Sequence, residues 1–547
     1  MNSKNILINW RFLLISFVFL LGLAAIIYKI FSIQFIDSNF LQNEGNKRYI
    51  KYKNIMPVRG TIFDRNNFPL AISSVNYDLY ALKGFKKSQL IKLAENFDIE
   101  FDVTRDDYQK KTILKRNMSN EDINLIKKLN LTNFEIEVRH SRHYPLGDQI
   151  APLIGFYGKD GAQEGLEKSY DRMLSGVTGR KQYFKNAKQE IFSQPIEIKK
   201  PIQGRDIQLT IDATLQFYAY KYLVEGIKNN EAKAGTVIIL DNEKGEVLAM
   251  ASYPSYNPNN PNRKIQKNRA LVDAYELGSV IKPIVLSKAI DNKSIKPNEQ
   301  IDIPRRLILN DKVIVDSKNH EKLTPQEIIA VSSQIGASKI ALELGYENLK
   351  RNYYEFGFTK PVSINFPSSA FGYMNIKETV ADKELASLGY GYGITISPFQ
   401  IASAYSVFAN EGIFKDFKIL GNQDDMSRKI ISSESANYIL EALSKVVKEG
   451  TGKAADIKGF SEGGKTGTVH QIRKGTGYAE DVYRASFIGI APLSNKSLTI
   501  FVSIDKPSLN SYSGGVVAAP VFAKIAESSL NHLGYFQDEW TWRYSRH

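Results

Sequence analysis

The chain has 547 residues, a formal charge of +14 at pH 7 and no cysteine. That length exceeds what one hydrophobic core supports, so at least two folded units are expected, and the lack of cysteine excludes thiolate nucleophiles, disulfides and cysteine metal sites. Lys and Arg are scattered, without a long basic run or zinc-finger spacing, which speaks against nucleic acid and for a solvated basic surface near an anionic membrane or polymer.

The first predicted element is the uncharged run "FLLISFVFLLGLAAIIY", Phe12 to Tyr28, followed by Lys29 and further apolar residues to Ile36. Its length suits a transmembrane helix with Lys29 reaching the interface. Ala24 and Ala25 are followed by Ile26, Ile27 and Tyr28 instead of a polar mature start, so an uncleaved anchor is expected and not a signal peptide. Lys4 and Arg11 precede the run while Lys47, Arg48, Lys51 and Lys53 follow it; counting positive charges leaves the orientation open.

From about residue 40 to 200 the pattern is charged, with short strands and helices such as "SNEDINLIKKLN", where Ser119 and Asp122 have capping-box spacing. "PVRGTIFDRNNFPLA" and "RHYPLGDQIAPLIGF" read as extended segments joined by turns, with a structural role. At "GRDIQLTIDATLQ" longer apolar elements begin, which places a boundary near residue 200. "AGTVIILDNEKGEVLAMAS" predicts a hairpin turning at Asn242 to Gly245. A helical region follows, and strands return in "GGKTGTVH", "YRASFIGIAP" and "LTIFVSID" before a helix in "PVFAKIAESSLNHL". Strands at both ends with helices between predict an α/β fold with one antiparallel sheet covered by helices on both faces.

Three short elements carry the candidate chemistry. In "LVDAYELGSVIKPIVLSKAI", Ser279 and Lys282 stand three apart on a predicted helix, hence on one face. Lysine can serve as the base for a serine nucleophile if burial or a second cation lowers its pKa, and Gly278 suits a tight helix start. The spacing alone is common, since Ser503 and Lys506 repeat it. In "LTPQEIIAVSSQIGASKIA", Thr324, Pro325 and Glu327 form a capping box with proline at the first helical position, leading to the polar cluster Ser332, Ser333 and Gln334. In "GGKTGTVH", Lys465, Thr466, Gly467 and Thr468 open a predicted strand; glycine allows close approach of a ligand, and the cation and hydroxyls suit a carboxylate. There is no Gly-x-Ser-x-Gly elbow, and six histidines make a Ser-His-Asp triad a weak candidate.

In this order the three elements resemble those of the penicillin-binding proteins: Ser-x-x-Lys, Ser-x-Asn and Lys-Thr-Gly. "NRALVDAYELGSVIKP", "SSQIGASKIA", "GGKTGT" and "GGVVAAPVF" carry the likeness; upstream, "RGTIFDRN" and "GAQEGLEKSYDRMLSGVTG" are similar to the non-catalytic pedestal of the class B, single-anchor members. The resemblance implies a class B member, with no glycosyltransferase domain ahead of the pedestal, unlike class A. "NRA", "GYGITISPFQIASAY" and "SYSGGVVAAPVF" look more like the cell-division type, FtsI, than the elongation type. The resemblance implies a tail and anchor over 1–36, an elongated α+β pedestal over 37–200 and a penicillin-binding, serine β-lactamase-like transpeptidase domain over 201–547. It also implies an extracytoplasmic D,D-transpeptidase in the bacterial cytoplasmic (inner) membrane that cross-links peptidoglycan and is acylated by β-lactams. Ser279 would be the nucleophile, Lys282 its base and Ser332 a proton relay. Lys465, Thr466 and Thr468 would bind the terminal carboxylate around Gly467, with the N–H groups of Ser279 and Thr468 as oxyanion hole. Stem peptides, a septal glycosyltransferase and other division proteins would be its partners, with no metal or organic cofactor.

Two residues depart from the family pattern. Gln334 stands where the family has a substrate-binding asparagine, and Leu277 replaces a proline common before Gly-Ser. Gln334 is carried over as a substrate contact, although its extra methylene displaces the amide. Two other readings stay open on the residues: a division scaffold with a weakened site, and a penicillin-hydrolysing or penicillin-sensing relative, which would not need the pedestal.

Overall fold

Two apolar runs on either side of a tight turn, Ala234–Asp241 and Glu246–Tyr253, form the predicted hairpin. In the computed structural model, which describes residues 10–82, 87–95, 111–129, 131, 133–158, 160–186, 194–261, 267–422, 426–473, 477–493, 496–509 and 511–537, this hairpin is one end of a five-stranded antiparallel sheet. The strand order is Glu246–Tyr253, Ala234–Asp241, Leu498–Asp505, Gly477–Ala491, Gly463–Arg473. Both faces are covered. Val237 and Ile239 pack with Leu215, Leu223, Phe522 and Ile525 of the helices Ala213–Asn229 and Ala519–His532. The alternate residues Ile238 and Leu240 join Ile284, Val285, Phe408 and Leu443 of the helices Lys282–Asp291, Pro398–Ala409 and Ser433–Lys448. Burial on both faces explains why these strands read as continuous apolar runs without alternation.

The chain divides into two compact units, to whose spans the described residues are assigned: one up to Arg59 with Ser175–Gly204, the other Gly60–Leu174 with the residues from Arg205 onward. In the first, a 27-residue helical segment, Trp10–Ile36, is long and apolar enough to cross a membrane. The helix Ser38–Tyr49 leads from it into Ile50–Ile55, which pairs with Gly179–Phe184 and, through it, Ile196–Lys199. In the second, the long hairpin Pro69–Ala81 with Phe134–His143 and the buried ion pair Arg142–Glu167 (2.7 Å) precede the large sheet. Ser119 and Asp122 exchange the capping-box bonds ahead of Asn120–Leu129. The hydrophobic core runs across residue 200, because Ile62 and Phe63 pair in parallel with Ile207 and Gln208, and Leu70, Tyr144 and Leu166 share a cluster with Ile238. "APLI", read as extended, is instead one helical turn, Ala151–Ile154, with all four side chains buried.

The turn that carries Ser279 is clamped from three directions. Gly278 (φ +58°) donates its N–H to Gly391 O at 3.3 Å, and Gly391 itself sits at φ +91°. A Cβ on Gly391 would stand 2.2 Å from Gly278 O, and one on Gly278 would stand 2.7 Å from Val469 Cγ2. The buried Tyr405 hydroxyl donates to Val280 O at 2.6 Å. Left-handed backbone costs an L-residue about 1–2 kcal/mol, and the clash is added to that. Gly391→Ala is therefore expected to lower stability by about 3 kcal/mol, which urea unfolding checks.

Candidate active site

Ser279 lies in a 3₁₀ turn, Gly278–Ile281, that continues directly into the α-helix beginning at Lys282. Leu277, in the place expected for proline, is buried beneath it at φ −105°. Lys282 is only 1% exposed. Its Nζ donates to Ser332 O at 2.6 Å and to Ser332 Oγ at 3.2 Å. Loss of hydration pulls this ammonium from the usual lysine range down to about 7, against the opposing charge of Asp316.

Ser332 is presented by a break between two helices. The capping box at Thr324 and Glu327 starts Pro325–Val331, which ends at Ser332 in the left-handed region (φ 62°, ψ 38°). Ser333 then caps the helix Gln334–Leu344, its Oγ accepting from Gly336 N–H at 2.8 Å. Asp316 secures this turn: Oδ2 accepts from Ser333 Oγ (2.5 Å), and Oδ1 from the N–H groups of Gln334 (2.5 Å) and Ile335 (3.1 Å). A carboxylate on free helix N–H groups satisfies donors that lack an intrahelical partner. Gln334 occupies the first helical position, with its residue exposed.

Lys465, on the edge strand Gly463–Arg473, is fully buried. Its Nζ lies 2.9 Å from Ser332 Oγ and 3.2 Å from Thr466 O. Burial, and then the neighbouring Lys282 cation, hold it well below the ordinary lysine range. One hydroxyl oxygen thus faces two lysine nitrogens that burial holds below the ordinary lysine range. A neutral amine can accept a proton that an ammonium can only donate, so Ser332 sits where a proton can pass in either direction.

Thr466 Oγ1 lies 2.9 Å from Thr451 Oγ1, and Thr468 Oγ1 accepts from Gly514 N–H at 3.0 Å. That bond leaves the Thr468 hydroxyl hydrogen available to donate. Gly467 faces the Ser279 turn, since a Cβ there would meet Ser486 Oγ at 2.4 Å and Leu277 O and Val280 Cγ1 at 3.0 Å. The strand and the turn are in van der Waals contact, which brings Lys465, Thr466, Gly467 and Thr468 alongside Ser279.

Lys282, Ser332 and Lys465 are thus joined by direct bonds, Ser279 lies one turn from Lys282, and Gln334 opens the adjoining helix. The second Ser-x-x-Lys is elsewhere: Ser503 is buried in a strand of the sheet and lies 3.2 Å from the Tyr275 hydroxyl. Sequence reading missed Asp316 and Thr451, which only the folded chain brings to the site.

The family model described as penicillin binding protein transpeptidase domain matches residues 235–527, and that described as penicillin-binding protein dimerisation domain matches residues 54–209. The chain is 34% identical over 528 residues to the probable peptidoglycan D,D-transpeptidase PenA of Neisseria meningitidis, covering 93% of this chain and 90% of that protein. It is 30% identical to the peptidoglycan D,D-transpeptidase FtsI of Escherichia coli K12, covering 98% and 94%. The transpeptidase domain of penicillin-binding protein 3 from Burkholderia pseudomallei superposes with a TM-score of 0.56 at 32% identity, covering 60% of this chain and 98% of that one. With the Ser279–Lys282 turn, Ser332 and the Lys465 strand packed together inside a domain matched over this span, the chain belongs to the penicillin-binding protein transpeptidase family.

Proposed function

We propose that the protein is a class B peptidoglycan D,D-transpeptidase of the cell-division type, working through an acyl-enzyme on Ser279. The observation that carries the mechanism is the pair of dehydrated lysines bonded to one serine hydroxyl. Ser279 Oγ attacks the penultimate D-Ala carbonyl of the donor stem peptide while its proton passes to neutral Lys282. The oxyanion is held by the N–H groups of Ser279 and Thr468. The C–N bond then breaks, and the leaving D-Ala amine receives a proton relayed from Lys282 through Ser332. An acceptor amine next attacks the ester, losing a proton to Lys282, and Ser279 Oγ is reprotonated as the new amide forms. Lys465 and the hydroxyls of Thr466 and Thr468 hold the donor's terminal carboxylate, and that anion favours the charged form of Lys465. Gln334 contacts the substrate amide from the helix start.

The chain's organisation follows from the same reading: residues 1–36 as tail and anchor, 37–200 as pedestal and 201–547 as catalytic domain. The apolar helix and the two family matches support it. Peptidoglycan lies outside the cytoplasmic membrane, so the catalytic domain is extracytoplasmic, a septal glycosyltransferase supplies the strands, and other division proteins are further partners. The test is intact-mass analysis of the full chain in detergent after exposure to a penicillin. One stable adduct per chain, mapped to the peptide containing Ser279, is the expected result. No adduct, or rapid turnover of the drug, would overturn the transpeptidase reading in favour of a scaffold or a hydrolase.

A further inference from the structure

A cavity of about 540 Å³ lies between the hairpin Leu307–Leu309 with Lys312–Ile314, the strand Tyr373–Met374, the helix Asp382–Gly389 and the loop at Tyr392 and Gly393. Two of its lysines are neutralised: Lys377 pairs with Glu384 at 2.9 Å and Lys383 with Asp311 at 2.6 Å. The third, Lys312, has no carboxylate within 4.0 Å among the described residues. Its Nζ donates one hydrogen bond, to Ser387 Oγ at 2.7 Å, and stands 5.5 Å from the Tyr390 ring. Ser387 Oγ in turn donates to Lys383 O at 2.6 Å, which fixes its oxygen toward the ammonium. The cavity therefore holds one uncompensated positive charge on a positioned, half-buried side chain.

Its walls are the segments that position the catalytic groups. Gly393 N–H donates to Glu276 Oε1 at 2.8 Å, and Gly391, two residues earlier, packs on Gly278. The Lys312–Ile314 strand runs on to Asp316, which holds Ser333 and the Gln334 N–H. The cavity is thus linked to the Ser279 turn through Gly391–Gly393 and to the start of the Gln334 helix through Lys312–Asp316.

We propose that the cavity is a subsite for an acidic peptide, with Lys312 binding a side carboxylate of the donor upstream of the scissile bond. The proposal rests on the transpeptidase reading and specifies which donor that site selects. A charge-assisted bond to a positioned cation separates an acidic peptide from its carboxamide by about tenfold.

The experiment uses the full chain in detergent and two synthetic pentapeptides ending in D-Ala-D-Ala, one with a free carboxylate upstream and one with a carboxamide there. Each is measured as a competitor of penicillin acylation at Ser279. The parent is expected to bind the acid about tenfold more tightly than the amide, K312M to lose that preference and K312R to keep it. Acylation without peptide is expected to change less than twofold in either variant, with unchanged melting temperature. A preference that persists in K312M, or that is missing in the parent, overturns the subsite. A parent that is not acylated overturns the transpeptidase reading itself, a separate and recognisable failure.

Discussion

Ser279→Ala is expected to yield a folded protein with no penicillin adduct and no measurable cross-linking, a loss on the order of 10⁵–10⁶ in rate. The residue is only half-buried, and the turn is held by Gly278, Gly391 and Tyr405 through backbone contacts that alanine preserves. Stability should therefore stay within about 0.5 kcal/mol of the parent. Intact mass and thermal unfolding on the same samples separate chemistry from folding. An adduct surviving at full stoichiometry would move the nucleophile to another serine, with Ser332 the first to map.

Lys282→Met is expected to slow acylation by about 10³–10⁴ while raising stability. Lys282 is buried, and the loss of hydration disfavours its charged form in the folded state and not in the unfolded chain. Below about pH 7 it is protonated in both states and the cost of burying the ammonium is felt in full. Between about 7 and the ordinary lysine range of about 10.4, the unfolded chain carries the proton and the folded one does not, so parent stability rises by up to about 1.4 kcal/mol per pH unit. The advantage of methionine is largest below pH 7 and shrinks as pH rises, reduced throughout by the donor that Ser332 O loses. The parent's acylation rate should run with the neutral base, falling about tenfold per unit below pH 7. A rate independent of pH between 5 and 8, or a methionine variant that melts lower at pH 6, would sink this account of Lys282 as a dehydrated base.

Local signals carried much of the architecture. The capping box at Thr324 and Glu327 is a short-range pattern whose partners are three residues apart, and it forms as read. The turn at Asn242 to Gly245 and the apolar runs around it likewise needed no distant contact. What stayed illegible was decided by tertiary contact. Asp316 caps a helix that begins at residue 334, and nothing in its own neighbourhood distinguishes it from a solvated loop acid. The four-residue helix at Ala151 is too short to show a period, and its apolar residues suit a buried strand equally well. The core's continuity past residue 200 depends on Ile62 meeting Ile207, a pairing that a change in local composition cannot reveal. Ser503 and Lys506 show the reverse case: the same spacing as Ser279 and Lys282, placed in and just after a strand instead of on a helix.

The central sheet joins Ala234–Asp241 directly to Leu498–Asp505. A chain made from its N-terminus must hold this hairpin without that neighbour until residues 498–505 have been synthesised. Closing so long a loop costs entropy before any contact repays it, and folds dominated by such pairings are slow. Loss of the last strands would leave the hairpin without its neighbour, and Lys465 without the strand pairing that carries its own strand. Premature termination before Leu498 would thus yield no partly active enzyme, and the interval between synthesis and sheet closure is when the nascent protein is most exposed to proteases.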